Sequence, residues 1–307
     1  MRWLRIGALV AAPVLPLTIA ASAARHEIRA DFRPSRSVPA RPAVLEDAKL
    51  EAIAFDARGI TLHGWFIPSS NGAAVLLVHG TDADRTQLAR EARLLARHGY
   101  GVLLFDWPGH GESGGVVTWD ANERAALGAA FDFASQTPGI DPDRIGVFAF
   151  SMGSMIAIQV AARDRRIAAL VVEGTFADAD DQLRYAFRHW GVLSQWPAQW
   201  TARWLGLKPD EQRPKDVIAE IAPRPVFVIA GAADDIVPPH QSRALFDAAR
   251  DPKSWWLVPG ATHGRYADAV GAAAYEEKLI RFYDDALGQR GRSSAVTHGA
   301  ISDHVRH

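Results

Sequence analysis

Mostly apolar runs alternate with helical patterns along the greater part of this 307-residue chain. A predicted hairpin of two strands, Leu50–Phe55 and Ile60–Ile67, comes first. Six runs then have the composition of strands that are buried on both faces of a sheet: Ala73–Val78, Tyr100–Phe105, Ile145–Phe150, Ile167–Val172, Pro225–Ala230 and Trp255–Val258. Apolar residues recur at helical spacing in five stretches: Arg85–His98, Trp119–Ser135, Ser151–Ala162, Pro239–Ala249 and Tyr266–Leu287. This alternation predicts an α/β fold with a mostly parallel central sheet and helices on both faces.

One predicted strand-to-helix junction carries a serine at its corner. Ser151 follows the apolar run that ends at Phe150, and the small residues Ala149 and Gly153 allow the strand and the helix to approach closely. Such a turn strains the serine outward and directs the backbone N–H of the next residue, Met152, towards an oxyanion. Ala149 replaces the first glycine of the Gly-x-Ser-x-Gly motif. The motif alone is therefore equally compatible with an ordinary turn that is capped by serine.

Further polar residues follow predicted strands, and we expect them at the same rim as Ser151, because the carboxyl ends of parallel strands meet at one edge of a sheet. They are His79, Asp106, Glu173, Asp234 and His263. A serine hydroxyl needs a base, and a histidine base needs an acid that holds its tautomer. Among the histidines after Ser151, His263 alone lies in a turn directly after a predicted strand. Asp234 or Asp235 can supply the acid, and we favour Asp234 because it is closer to the strand end.

Five segments, in this order along the chain, resemble the serine hydrolases of the α/β-hydrolase superfamily. They are Leu77–Gly80, Phe105–Ser113, Phe150–Gly153, Gly231–Pro238 and Gly260–His263. Within the superfamily, the sequence is similar to the Bem46-like and serine aminopeptidase-like group. The resemblance covers roughly residues 50–287 and implies an α/β-hydrolase fold with a small helical lid.

The resemblance also implies a role for each of five residues. Ser151 is expected to be the nucleophile, His263 the base and Asp234 the acid. The backbone N–H groups of Met152 and Thr81 are expected to form the oxyanion hole, because the residue after the His-Gly pair takes that role in the superfamily.

Three other rim residues have a structural interpretation beside a functional one. The resemblance implies that His79 orients the oxyanion loop rather than acting as a base. It likewise implies that Asp106 belongs to a structural turn in its glycine-rich loop. Glu173 is a candidate second acid, although we expect its carboxylate to face a loop.

The expected reaction is hydrolysis of a carboxylic ester through an acyl-enzyme, as in carboxylesterases, on a small-molecule acyl substrate. A peptidase or amidase with the same triad is an alternative, and a non-catalytic, membrane-associated scaffold is another. The chemistry requires no metal or organic cofactor. The formal net charge of −1 gives no electrostatic case for nucleic-acid binding, and the absence of cysteine excludes disulfides and thiolate metal sites. We expect a monomer.

The two ends of the chain differ in composition from the middle. Residues 6–24 are uncharged and follow Arg2 and Arg5, so residues 1–24 are predicted to be a signal peptide or a membrane anchor. This predicts an exported or membrane-anchored protein, in the bacterial periplasm or inner membrane. Residues 25–47 are expected to be a linker, residues 48–288 the hydrolase domain and residues 289–307 a disordered tail. The arginines that follow residue 24 argue against easy export of that flank.

A tryptophan-rich insertion interrupts the alternation at about residues 176–216, where lids occur in the superfamily. Trp196, Trp200 and Trp204 fall four residues apart and so form one stripe of a predicted helix. We expect this stripe to be the lid's own packing face. The alternatives are an acyl pocket and a membrane interface.

Overall fold

A computed structural model describes residues 36–188, 192–204 and 211–288, together with the isolated residues Thr18, Ser22, His26, Pro34 and Lys208. Apart from these isolated residues, the predicted signal peptide or anchor, much of the linker and the tail from residue 289 lie outside this part of the chain. None of the described helices is both long enough and apolar enough to cross a bilayer.

The core of the molecule is one eight-stranded sheet in the order β1-β2-β4-β3-β5-β6-β7-β8. The strands are β1 (Glu51–Ala57), β2 (Ile60–Ile67), β3 (Ala74–Val78), β4 (Gly101–Phe105), β5 (Ile145–Phe150), β6 (Ala169–Glu173), β7 (Val226–Gly231) and β8 (Lys253–Val258). Strand β2 pairs antiparallel with β1 and β4, and all the other neighbours are parallel. The predicted fold class is confirmed.

Helices cover both faces of the sheet. They are α1 (Ala89–Arg97), α2 (Ala121–Gln136), α3 (Met152–Arg163), α4 (Ala179–Ala186), α5 (Val192–Trp204), α6 (Pro214–Val217), α7 (Pro239–Ala248), α8 (Tyr266–Val270) and α9 (Ala272–Tyr283). Short 3-10 turns lie at Ala43–Leu45, Arg85–Leu88, Pro142–Arg144 and Ile218–Ile221, and a π-helical turn at Asp284–Gly288. In the inner strands, alternate residues enter two separate cores. Leu76 of β3 packs with α2 and α3, whereas Leu77 packs with α1 and α9.

The carboxyl ends of the six strands β3 to β8 share one edge of the sheet, because every connection among them is a parallel crossover. Residues predicted to be functional follow these ends. Ser151 directly follows β5, Glu173 is the last residue of β6, and His263 lies in the turn after β8. The topology therefore gathers them at one rim, as the sequence predicts.

The predicted helix from residue 266 to residue 287 is interrupted. Gly271 has φ +85° and separates α8 from α9. A residue with a side chain is strained at this φ, which lies in the left-handed region that glycine occupies readily. The break separates α8, which begins at Tyr266, from α9.

The described part of the predicted lid contains α4 and α5, which pack against each other. Two side chains of the segment that contains α4 bind the loop after β7. Gln182 donates from Nε2 to the backbone oxygen of Ile236 (2.7 Å), and Arg188 donates to that of Asp235 (3.2 Å). The segment that contains α4 is thus held by the loop that carries Asp234.

The tryptophan stripe does not form the packing face that we expected from the sequence. Trp196, Trp200 and Trp204 point away from the protein, whereas Ala198 and Ala202 on the opposite side of α5 are fully buried. Two small side chains allow the helix to approach the domain closely, so the bulky residues are left outside.

Candidate active site

Ser151 occupies a strained corner between β5 and α3. Its backbone has φ +53° and ψ −126°, a conformation that costs a non-glycine residue energy and is typical of a nucleophile elbow. Its N–H donates to the backbone oxygen of Glu173 on the neighbouring strand (2.9 Å). A Cβ atom at residue 153 would lie 2.4 Å from the backbone oxygen of His79, so Gly153 is required for the helix to start this close to β3. The corner is held from both neighbouring strands.

His263 lies between Ser151 and Asp234. Its Nε2 is 3.0 Å from Ser151 Oγ, and its Nδ1 is 2.8 Å from Asp234 Oδ2. A carboxylate only accepts hydrogen bonds, so Nδ1 carries the proton and Nε2 is left to accept the proton of the serine. The ring also packs on Phe150, with 4.7 Å between the ring centroids. The imidazole is therefore held in the tautomer that a general base requires.

Asp234 is bound on both of its carboxylate oxygens. Oδ1 accepts the backbone N–H groups of Ile236 (3.0 Å) and Val237 (2.8 Å). Oδ2 accepts the hydroxyl of Tyr266 (3.1 Å) in addition to His263. Asp235, the alternative acid in the sequence, is exposed, and its backbone oxygen binds Arg188 instead. Between these two aspartates, Asp234 is the one that contacts the histidine.

The two predicted oxyanion residues lie on either side of the corner. Met152 is the first residue of α3, and the N–H of a first helical residue has no partner within the helix. Thr81 follows Gly80, where a Cβ atom would lie only 3.1 Å from the Cβ of Ser151. Gln87 accepts the N–H of Gly80 on Oε1 (2.8 Å) and so holds this loop. Both backbone segments are therefore adjacent to the serine.

Residues 69–223 match the family described as serine aminopeptidase, S33. A Mycobacterium tuberculosis protein, MT2364, is 33% identical over 242 residues, which are 76% of this chain and 78% of the relative. The chain belongs to the serine aminopeptidase S33 family. It is a hydrolase of the α/β-hydrolase superfamily, as the resemblance implies.

Solved structures show the same fold. The Pyrococcus furiosus esterase Pf2001 superimposes with a TM-score of 0.70 at 21% identity, over 83% of this chain and 98% of the esterase. A Mycobacterium tuberculosis puromycin-hydrolyzing peptidase gives a TM-score of 0.65 at 20% identity, over 81% of this chain and 42% of the peptidase. Both an esterase and a peptidase are therefore structural neighbours of this S33 family chain.

His79 of this S33 family chain is bound inside its own loop. Its Nε2 accepts the backbone N–H of Trp107 (3.1 Å), so Nδ1 is the donor towards the backbone oxygen of Gly80 (2.8 Å). Burial, and to a smaller extent the nearby His110, lower the pKa of His79 to about 3. A neutral histidine with both nitrogens occupied supports the oxyanion loop and has no lone pair left for a substrate proton.

Asp106 joins two loops at the rim. It is fully buried, its Oδ1 accepts the backbone N–H of Arg85 (2.8 Å), and its Oδ2 accepts that of Glu112 (3.0 Å). Burial raises its pKa to about 6, although the Arg85 side chain, with Nη1 3.4 Å from Oδ2, acts in the opposite direction. A Cβ atom at Gly111 would overlap this carboxylate, so the glycine leaves room for it. The contacts of Asp106 are those of a structural turn.

Glu173 does not face a loop, contrary to our expectation from the sequence. It is the last residue of β6 and is buried, with Oε2 accepting the hydroxyl of Tyr275 (2.6 Å). Burial raises its pKa well above the usual range, and the carboxyl groups of Glu91 and Asp234 raise it further. The reason for the difference is strand direction, because the alternation of side chains along β6 turns residue 173 towards α9.

Sequence reasoning missed Tyr266. The residue lies three positions after His263, is buried, and donates to the same oxygen of Asp234 that His263 binds. Burial raises its pKa, so the hydroxyl keeps its proton and remains a donor. Gly174 makes room for both side chains, because a Cβ atom there would lie 2.7 Å from the Tyr266 hydroxyl and 3.0 Å from His263 Cε1. A polar aromatic residue three positions after His263 was the available signal.

The described residues contain no group of three or more His, Asp or Glu side chains that could hold a metal ion. Ser151, His263 and Asp234 lie in series at this rim, joined by the two hydrogen-bond distances given above.

Proposed function

We propose that this protein is a serine hydrolase that cleaves a carboxylic ester through an acyl-enzyme. The observation that carries the proposal is the position of His263, with one ring nitrogen 3.0 Å from Ser151 Oγ and the other 2.8 Å from Asp234 Oδ2. These distances are within hydrogen-bond reach, as a nucleophile, a base and its acid require.

In the proposed mechanism, Ser151 attacks the ester carbonyl while His263 Nε2 removes the proton from its hydroxyl. The imidazolium formed is stabilised by Asp234. The backbone N–H groups of Met152 and Thr81 bind the oxyanion of the tetrahedral intermediate. His263 then gives its proton to the departing alcohol, and the acyl group stays on Ser151.

Hydrolysis of the acyl-enzyme repeats these steps with water as the nucleophile. His263 removes a proton from the water, a second tetrahedral intermediate forms, and the carboxylic acid is released from Ser151. The histidine returns its proton to the serine, so the enzyme is regenerated and protons balance over the cycle.

A peptidase is the second candidate, favoured by the family match over residues 69–223. An aminopeptidase must bind the ammonium group of its substrate, and a carboxylate is the usual partner of such a group. The buried carboxyl groups at this rim do not suit that task. Glu173 has a raised pKa and binds Tyr275, and Asp106 is fully buried among backbone N–H groups. We therefore favour the ester.

The test is turnover of p-nitrophenyl esters, from acetate to palmitate, beside amino-acid p-nitroanilides, by the full-length chain. Ser151→Ala should lower kcat by a factor on the order of a million, as expected for a triad serine. Ser154→Ala is the matched control, because Ser154 lies in the same helix but its hydroxyl donates to the backbone oxygen of Ala149. Wild-type ester turnover by Ser151→Ala would refute the proposal, and turnover of anilides alone would favour the peptidase.

A further inference from the structure

Helix α5 carries its largest apolar side chains on the outside. Trp196, Trp200 and Trp204 are 80%, 76% and 60% exposed, and their spacing places them on one stripe of the helix. The opposite side consists of small residues, with Ala198 and Ala202 fully buried. A surface helix in water has the reverse arrangement, with apolar residues inside and polar residues outside. The exposed stripe therefore points to a partner of this helix.

This stripe is the main concentration of exposed large apolar side chains in the described part of the chain. The others are Val38, Val44, Val116, Ile236 and Leu257, of which all but Val38 and Val116 are less exposed than any of the three tryptophans. Single exposed apolar residues are ordinary, whereas a contiguous apolar patch marks an interaction site. Three indoles on two successive turns form such a patch.

The side-chain chemistry favours a lipid surface as the partner. Tryptophan concentrates at membrane–water interfaces, because its ring is apolar and its N–H still binds water or headgroups. The sequence of α5 contains no acidic residue, and its one charged residue, Arg203, is exposed on the side that carries the tryptophans. A helix with indoles and a cation on its outer face suits the boundary between anionic headgroups and acyl chains.

The N-terminal sequence supports the same partner. Residues 6–24 are uncharged and, if retained, would hold the chain at a bilayer. Residues 25–50 lie between this segment and β1, and Leu45, in the 3-10 turn before β1, is already fully buried in the domain, so a retained segment would keep the domain near the bilayer. A domain held so close to a bilayer meets its surface continually, so a modest apolar patch is sufficient for binding.

We propose that α5 is an interfacial membrane-binding helix, with Trp196, Trp200 and Trp204 inserted at the level of the lipid headgroups. The contact is independent of catalysis, so Ser151→Ala binds as the wild type does. Two successive contacts nevertheless connect α5 to the candidate active site. Helix α5 packs on α4, and Gln182 of α4 binds the loop that carries Asp234.

The absence of cysteine in the chain allows a site-specific probe. Gln199→Cys places an NBD fluorophore beside the stripe, and Glu277→Cys places the same fluorophore on the exposed side of α9, on the opposite face of the sheet. Each full-length labelled chain is mixed with vesicles of phosphatidylcholine and phosphatidylglycerol at a ratio of about 3:1, an anionic surface of the kind that α5 suits. At residue 199 we expect NBD fluorescence to rise severalfold, its emission to shift to the blue, and brominated lipid to quench it. At residue 277 we expect no change in fluorescence.

The double variant Trp196→Ser/Trp200→Ser should lower the response at residue 199 to that at residue 277, with hydrolysis of a soluble ester unchanged. Flotation of the vesicles shows separately whether the chain is bound. An aqueous signal at residue 199 in a chain that floats with vesicles would overturn the proposal, and so would a chain that does not float. An apolar signal at residue 199 before vesicles are added would also overturn it, because the chain itself or a second copy would then cover the stripe.

Discussion

A buried carboxyl group lies at the carboxyl end of β6 and another at that of β7, and the two groups accept different numbers of hydrogen bonds. Asp234, after β7, accepts four hydrogen bonds, from His263, Tyr266 and two backbone N–H groups. Glu173, at the end of β6, accepts one from Tyr275. Both side chains are almost inaccessible to water. The difference between the two ends is therefore in the donors that each carboxyl group meets.

The number of donors decides which carboxyl group can serve a histidine. Hydrogen bonds to a carboxylate favour its charged form, whereas burial without them favours the neutral acid. Glu173 is held in the neutral form, because burial and its acidic neighbours raise its pKa. A neutral acid cannot stabilise an imidazolium by charge. Position at the end of a neighbouring strand is thus insufficient to make a carboxyl group the acid of a triad.

The largest effect expected from this comparison is that of Asp234→Asn. The amide keeps the volume but disturbs the tautomer of His263, and such a change lowers kcat by roughly ten thousandfold in triads. Glu173→Gln should leave kcat within about threefold, because a neutral acid is replaced by a neutral amide of the same shape. Ester kinetics of the two purified variants measure both effects. A greater loss in Glu173→Gln than in Asp234→Asn would reverse the assignment.

Tyr266 and Tyr275, which donate to the two carboxyl groups, allow the same comparison with smaller expected effects on kcat. Tyr266→Phe removes a donor from Asp234, and hydrogen bonds to charged groups are worth enough to expect about a tenfold loss of kcat. Tyr275→Phe is the matched control, since it removes the same hydroxyl from Glu173. We expect the control to keep kcat and KM. Equal losses in the two variants would mean that Tyr266 acts only through stability, which thermal unfolding of both variants would reveal.

The smallest effect is on the pH dependence of the free energy of unfolding, and it comes from Glu91, which lies near Glu173. Burial raises the pKa of nearby Glu91 from 4.5 to about 7, so between these values the folded chain holds a proton that the unfolded chain releases. Stability from this group is therefore full below pH 4.5 and is lost as pH rises through 7, by up to about 3 kcal/mol.

Glu91→Gln should remove that loss. The free energy of unfolding of the variant, relative to the wild type, should rise from pH 5 to pH 8 in urea titrations. His79, whose pKa is lowered to about 3, loses stability in the opposite direction, below its ordinary 6.5, but it is present in both chains and cancels in the difference. A difference that does not change with pH would contradict the raised pKa of Glu91.

The sequence predicts the sheet, the order of its parallel strands along the chain, and the rim on which Ser151, Asp234 and His263 meet. This is possible because buried parallel strands are apolar throughout and because their polar successors share one edge. The contact of Tyr266 with Asp234 could not be predicted, since it depends on how tertiary packing orients the start of α8.

The tryptophan stripe shows a different limit. Spacing predicts which residues share a face of a helix, but not whether that face turns inward. In α5 the side that contains Ala198 and Ala202 is equally continuous, and its small residues allow close packing. Glu173 was misplaced for a related reason, because the face of β6 that it joins is set by tertiary packing.

The most direct test of the account is reaction of the full-length chain with a fluorophosphonate, followed by mass spectrometry of the modified peptide. Only a serine that has been activated by a base reacts quickly with such a reagent. We expect one adduct per chain on Ser151, its loss in Ser151→Ala, and its retention in Ser154→Ala. No adduct, or an adduct on another serine, would contradict the assignment of Ser151, His263 and Asp234 and would favour a non-catalytic scaffold.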